Sequence, residues 1–486
     1  MSNSIDLWAI LLTVVPIVFA LYIVAVAIML INDQRDSTKT LSWLLLLWIL
    51  PVIGLVLYFF LGRNFRKRAQ RTGWWETVAK AEEKVATRLT DAYASEIEAG
   101  EKVAAELGFG EVTRLAHSGE LALTLPAHGV RVMPSGGEKF EELKRQLRAA
   151  TDTINIMYFI WEHDVLTREL IDILIERIRA GVEVRMLNDF LGCIPYRKDE
   201  LKQLKDAGGR VSYDVAALGQ LNYRNHRKIV VIDGVSGFTG GCNVGQEYID
   251  GGKKYDSWRD THVCYTGPAV GALQALFARR WLDVESEDLF TDRFFPAEYP
   301  VEGPAIPALT VSTGVDSIWE TSRRTHVIGI GEARERAWLQ SPYFVPSTDI
   351  QIALVNAALS GLDVRLMMTG VPDKKSAWYA ANTYIQPLLE AGGRVFHYST
   401  GFLHAKTMTL DGKVTVIGTQ NLDIRSLELH KELMVWFFDR ELTEQHDRVF
   451  LADMEKCREL TLADFENQTW GQRFRDSAFR LASNVL

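Results

Sequence analysis

Two stretches carry the same reactive set: RNHRKIVVID at 224–233 and FLHAKTMTLD at 402–411. In each, a histidine and a lysine two positions apart (His226 and Lys228; His404 and Lys406) lead an apolar run. An Asp-Gly pair closes the run at Asp233 and again at Asp411, and an asparagine, Asn243 or Asn421, follows its histidine at the same offset. One H-x-K is a weak signal, but a whole set repeated at fixed offsets is not a product of chance. These residue types suit substitution at a phosphodiester. Two ammonium groups neutralise the non-bridging oxygens and two carboxamides donate hydrogen bonds to them. One histidine attacks phosphorus, so that a phosphohistidine splits a hard step into two. The other protonates the leaving oxygen and later deprotonates the incoming hydroxyl. A single hairpin cannot flank phosphorus from both sides, whereas two can, and no metal or cofactor is required. A metal site fits poorly in any case, because lysine is not a usual ligand and H-x-K is not a zinc spacing. Asp233 and Asp411 are explained equally well as turn formers.

The elements that position these residues follow from the turns. Asp-Gly is a strong hairpin signal. Taken as two-residue turns, the pairs set Ile232 facing Val235 and His226 facing Gly241; in the second copy Leu410 faces Lys413 and His404 faces Thr419. His, Lys and Asn then share one face of each hairpin, with Gly240, Gly241 and Gly418 keeping the neighbouring strand slim. Other segments repeat in the same order: TINIMYFIW with AWLQSPYFVPS, GVEVRML with GLDVRLM, KDAGGRVSYD with LEAGGRVFHYS. This is a tandem duplication of an α/β domain. The expected layout is a first half over 126–290, a proline-bearing linker reaching 310 (291–310 between the halves, with its composition shift from 285), and a second half over 311–486. A polar, Ala/Glu/Lys-rich helical connector over 64–125 precedes them.

The pattern H-x-K-x4-D-x6-G-x-x-N, present twice, resembles the signature of the phospholipase D superfamily. The N-terminal hydrophobic hairpin ending in FLGRN, with YFVPS and NLDIRS, is similar more narrowly to the bacterial cardiolipin synthases. The resemblance implies fused α/β/α sandwich domains with mixed sheets and a shared active site. It implies a catalytic set of His226, Lys228, Asp233, His404, Lys406 and Asp411, with His226 as nucleophile and His404 as acid. It also implies a histidine-orienting carboxylate for each imidazole, at Asp260 in WRDTH and Glu432 in HKEL. The chain departs from the pattern at LELHKEL, where His430 is expected to be a bystander. The implied reaction joins two phosphatidylglycerols into cardiolipin and glycerol; a membrane-bound phospholipase D that hydrolyses or exchanges phospholipid headgroups is the alternative.

Composition bounds the rest. Residues 7–31 and 41–61 are uncharged runs of 25 and 21 positions, and the first would be roughly 37 Å long as a helix. Residues 1–63 therefore read as a transmembrane helical hairpin, bent at Pro51 and Gly54, with no basic region ahead of the first run to suggest a cleaved signal. The cluster Arg63, Arg66, Lys67, Arg68 and Arg71 places the catalytic part on the cytoplasmic side of a bacterial inner membrane. A net charge of -8 disfavours a nucleic-acid partner. The four cysteines, Cys193, Cys242, Cys264 and Cys457, show no C-x-x-C and read as reduced thiols. Phe465, Trp470, Phe474 and Phe479 alternate with charges in the tail, which suits an interfacial helix or one packed on its own domain.

Overall fold

The computed structural model describes residues 7–32, 37–58, 74–193, 200–214, 223–301, 303–314, 317 and 319–481. The chain divides into two units, residues 1–72 with 216–222, and residues 73–215 with 223–486. In the first unit, helix Leu7–Asn32 and the pair Ser37–Ile49 and Pro51–Leu57 pack through Val26, Leu30, Leu47 and Tyr58. The second apolar run breaks at Leu50, whose backbone leaves the helical region (φ -128, ψ 70) ahead of a proline that opens the next helix. Outward side chains such as Ile17, Leu21, Trp48 and Val52 are exposed. The side chains of 7–12, 15 and 29 are not described, and among the described residues no helix is long and apolar enough to cross a membrane. The basic cluster at 63–71 lies outside the described residues.

The second unit is built on one 15-stranded mixed sheet. From its centre outward, the first half runs Thr124–Met133, His262–Thr266, Ser236–Gly240, Ile229–Ile232, Thr153–Tyr158, Glu183–Asp189 and Arg210–Asp214. The second half runs Ile306–Thr313, Glu432–Phe438, Val414–Gly418, Thr407–Leu410, Arg336–Gln340, Asp363–Thr369 and Arg394–Tyr398, with Cys457–Leu460 added at its edge. The two halves thus repeat one strand order, as the duplication requires. They join through antiparallel pairing of Thr124 with Leu309 and its neighbours. The strand Ile306–Thr313 occupies the end of the segment expected to be linker. Ahead of the sheet, the connector forms helices Trp74–Ala92, Ala94–Leu107 and Gly110–Glu120.

Alternation along the strands loads both faces. Ile154, Ile156, Val230 and Ile232 pack with the helices Gly136–Ala149 and Val165–Arg179. Met157, Ile229 and Val231 pack on the other face with helix Val270–Glu285 and with Ile417, Val435 and Phe437 of the second half. One core therefore crosses the junction between the halves.

The hairpin register differs by one residue from the two-residue reading. Ile232 pairs with Ser236 and Leu410 with Val414. The Asp-Gly turn does form: Asp233 and Gly234 are left-handed (φ 53 and 69), and Val235 N–H donates to Ile232 O at 3.0 Å. Val235, and likewise Lys413, is an extra residue between that turn and the ladder, a bulge that shifts the register.

The tail helix Trp470–Leu481 packs on helix Lys375–Glu390 through Asn382, which donates to the buried Asp476 at 2.8 Å, and through Phe479 against Tyr379. Its outer face leaves Trp470 79% and Phe474 62% exposed.

Candidate active site

The histidine end of each H-x-K segment pairs with the opposite half, while Lys406 O still accepts from Gly418 N–H of its own hairpin at 3.3 Å. Asn225 bridges Lys431 in parallel, and His226 N–H donates to Lys431 O at 2.9 Å. In the mirror arrangement, Phe402–Leu403 pairs with Trp258–Arg259, and His404 N–H donates to Arg259 O at 2.7 Å. Residues 431 and 259 each immediately precede a carboxylate. The exchange therefore carries Glu432 to His226 and Asp260 to His404.

The geometry follows from that exchange. His226 Nδ1 lies 2.9 and 3.0 Å from the two oxygens of Glu432, and His404 Nδ1 lies 2.7 Å from Asp260 Oδ2. Each imidazole is held by the carboxylate of the other half, and each Nε2 is left for chemistry. Both histidines, with Asn243 and Asn421, line one cavity of about 320 Å³. Lys228 and Lys406 are buried and donate to the backbone oxygens of His226 (2.6 Å) and His404 respectively. Asn243 holds two segments together, accepting from Ile160 N–H at 3.3 Å and donating to Tyr248 OH at 2.9 Å. Asn421 Oδ1 has no hydrogen-bond partner among the described residues.

Asp233 and Asp411 do not join the cluster, and this corrects their expected catalytic role. The whole strand Ile229–Ile232 separates His226 from Asp233, which sits in the left-handed turn at the hairpin tip. Asp233 accepts from the N–H groups of Thr151, Asp152 and Thr153, all at 2.8 Å. Asp411 accepts from those of Arg334 (2.9 Å), Glu335 (2.8 Å) and Arg336 (3.0 Å). Both carboxylates are turn formers that tie the hairpin tip to the start of a neighbouring strand.

Electrostatics separate the two corners. Burial, then the Lys228 ammonium and His430, hold His226 well below the usual imidazole range. Burial and then Lys406 lower His404 to about 4. Burial raises Glu432 to about 8, outweighing Lys228 and the Thr419 hydroxyl, which donates to Glu432 at 2.5 Å. Burial acts on Asp260 in the same sense, but His404 and Lys406 outweigh it and keep that carboxylate below its ordinary range. Burial likewise brings Lys228 to about 7 and Lys406 to about 8.

The walls differ as well. Trp258, Phe402 and Tyr248 surround His404, with ring centroids at 5.2, 5.9 and 6.3 Å. His226 meets the edge of Phe159 at 4.7 Å and faces His430 at 6.0 Å. His430, expected to be a bystander, therefore lines the cavity, as does Arg425. Neither stands at a repeated offset, so comparison of the two copies could not single them out.

Comparison with known proteins gives the family and the fold. The family model described as "Cardiolipin synthase, PLD-like domain" matches residues 143–281 and 327–454, and the model "Phospholipase_D-nuclease N-terminal" matches 19–63. The chain is 33% identical to "Major cardiolipin synthase ClsA" of Bacillus subtilis (strain 168), over 96% of this chain and 98% of that one. It is 35% identical to "Cardiolipin synthase" of Geobacillus sp. (strain WCH70), over 96% and 92%. Among solved structures, the phosphatidylserine synthase of Haemophilus influenzae Rd KW20 superposes with TM-score 0.56 at 13% identity, over 74% of this chain and 97% of that one, a likeness of fold.

Proposed function

Since the chain belongs to the cardiolipin synthase family of the phospholipase D superfamily, we propose that it transfers a phosphatidyl group between two phosphatidylglycerol molecules, giving cardiolipin and glycerol. The observation that carries this reading is the crossed pair His226–Glu432 and His404–Asp260, with both histidines lining one cavity and a buried lysine bonded to the backbone of each. His226 Nε2 attacks phosphorus, while His404 gives its proton to the departing glycerol oxygen, leaving a phosphatidyl-histidine. The primary hydroxyl of a second phosphatidylglycerol then gives its proton to His404 and displaces His226, so the histidines return to their starting state. Lys228 and Lys406, with Asn243 and Asn421, stabilise the charge on the non-bridging oxygens. None of these steps routes through a metal ion. The test is purified full-length protein in mixed micelles with phosphatidylglycerol alone and excess chelator. Cardiolipin forming in step with glycerol is expected; phosphatidic acid with glycerol and no cardiolipin would mean a hydrolase instead.

The uncharged runs at 7–31 and 41–61 support an anchor in the bacterial inner membrane, multi-pass, with the catalytic unit cytoplasmic by the charge rule. The exposed Trp470 and Phe474 suit lipid headgroups. Replacing both with serine in the full chain should raise KM for bilayer substrate and leave kcat unchanged; an unaltered KM would remove that role.

A further inference from the structure

The product of the proposed reaction carries two phosphodiesters on a short glycerol bridge, so a second anion must sit within a few bonds of the one being transferred. The buried lysine pair accounts for only one. Three further cations line the same cavity: Lys254, Lys374 and Arg425. Lys254 stands over the Tyr255 ring, within the fields of Asp373 and Glu247. The other two converge elsewhere. Arg425 and Lys374, after burial itself, are the groups that most depress the basicity of His430. His430 in turn lies 6.0 Å, ring to ring, from His226.

This corner has unmet hydrogen-bonding capacity. Both ring nitrogens of His430 and Nε of Arg425 are buried without a hydrogen-bond partner among the described residues. An orphaned buried donor is costly and marks a place where a ligand supplies the partner. The nearby acids are otherwise engaged. Asp423 accepts from Ser426 N–H at 2.9 Å to cap its helix, and Asp373 accepts from Tyr343 OH at 2.6 Å. Arg224, on the same side, is held by Asp189. Glu432 Oε1 lies 3.9 Å from His430 Nδ1, but its carboxyl faces His226.

The geometry points to a second anion subsite, made by Arg425, Lys374 and His430, that holds the phosphodiester of the acceptor phosphatidylglycerol. It rests on the transferase reading above and deepens it. The guanidinium and the rim ammonium neutralise the acceptor phosphate, and neutral His430 donates a hydrogen bond between that phosphate and the reacting centre. Water and free glycerol carry no phosphate and gain nothing from this subsite. It therefore favours a lipid acceptor over water in resolving the phosphohistidine.

The test compares two acceptors on the full-length enzyme in phosphatidylglycerol micelles. Cardiolipin formation reads the anionic acceptor, and incorporation of labelled glycerol into phosphatidylglycerol reads the neutral one. Arg425→Gln and Lys374→Gln should each lower cardiolipin formation relative to glycerol exchange by roughly tenfold, the scale of one charge-assisted hydrogen bond. Phosphatidic acid release should rise at the same time. Arg425→Lys should recover part of the loss. Glycerol exchange doubles as the control for folding, and Lys374 is exposed, so its replacement carries little structural cost. Equal loss of both activities in Lys374→Gln, or no change in their ratio in either variant, would overturn the subsite. A wild-type enzyme that exchanges glycerol yet makes no cardiolipin would instead defeat the transferase reading itself.

Discussion

The corner of the cavity around His404 and the corner around His226 come from one duplicated motif, yet they are chemically unlike. At His404 the carboxylate is an aspartate, ionised below its ordinary range, and the neighbouring strand offers Gly241. A Cβ at that glycine would lie 1.9 Å from Asp260 Oδ1, so the carboxylate needs the missing side chain. At His226 the carboxylate is a glutamate raised to about 8, and the position equivalent to Gly241 is Thr419, whose hydroxyl donates to it. Duplication supplies two equivalent histidines; these substitutions around them give the two different surroundings. The ionised Asp260 opposes the burial and the Lys406 charge that lower His404, and so supports the imidazolium formed when His404 takes up a proton, which suits the acid. His226, held well below the usual imidazole range by burial and then by Lys228, stays neutral, which suits the nucleophile.

The sharpest way to break this comparison is to trap the intermediate. With phosphatidylglycerol labelled in the phosphate, His226→Ala should form no phosphoenzyme, and His404→Ala should form it roughly 10²–10⁴ times more slowly. Label held by His226→Ala and absent from His404→Ala would exchange the two roles. Next in size are the carboxylates. Asp260→Asn should cost roughly 100-fold or more in kcat, because it removes the charge that orients and supports a protonated imidazole. Glu432→Gln should cost about tenfold or less near neutral pH, since it replaces a carboxyl that already holds a proton there. Equal losses in the two variants would mean that the corners are electrostatically alike after all.

Much of this site was legible in the sequence, because the histidines and asparagines that line the cavity recur at fixed offsets in both copies. His226, Lys228, Asn243 and their partners follow from that repetition, and so does the α/β architecture. The crossing of the halves was not legible. Nothing local to RNHRK indicates that its backbone pairs with Lys431 rather than with its own return strand. The aspartates show the opposite limit: a fixed spacing records a shared constraint without saying whether chemistry or folding imposes it. The one-residue register shift arises at Val235 and Lys413, where an ordinary side chain takes the bulge that a turn rule cannot foresee.

Titration gives a smaller effect that still distinguishes the corners. Below about 7, Lys228 is charged, and Lys406 is charged below about 8. As pH rises through those values the free enzyme loses the cations that bind the phosphate, so kcat/KM should fall on the alkaline side. Lys228 belongs to the His226 half, and Lys228→Arg, which does not titrate in this range, should shift the start of the decline from near 7 toward 8. A profile that stays flat into the ordinary lysine range would show that both ammoniums keep their protons despite burial.

The smallest expected catalytic effect comes from the residues that the repeated motif makes most conspicuous. Asp233→Asn and Asp411→Asn keep a side chain that tolerates the left-handed turn conformation, but they replace a carboxyl group that accepts from several backbone N–H groups with a carboxamide that has one acceptor oxygen. Each should lower stability by about 1–2 kcal/mol, read as a reduced Tm. The folded fraction should turn over within about twofold of wild type, because neither carboxylate meets the cavity. A variant with unchanged Tm and a collapsed kcat would return the aspartate to the chemistry. If the loss appeared in only one copy, the two hairpin tips would join the two histidine corners as positions where one motif serves different ends.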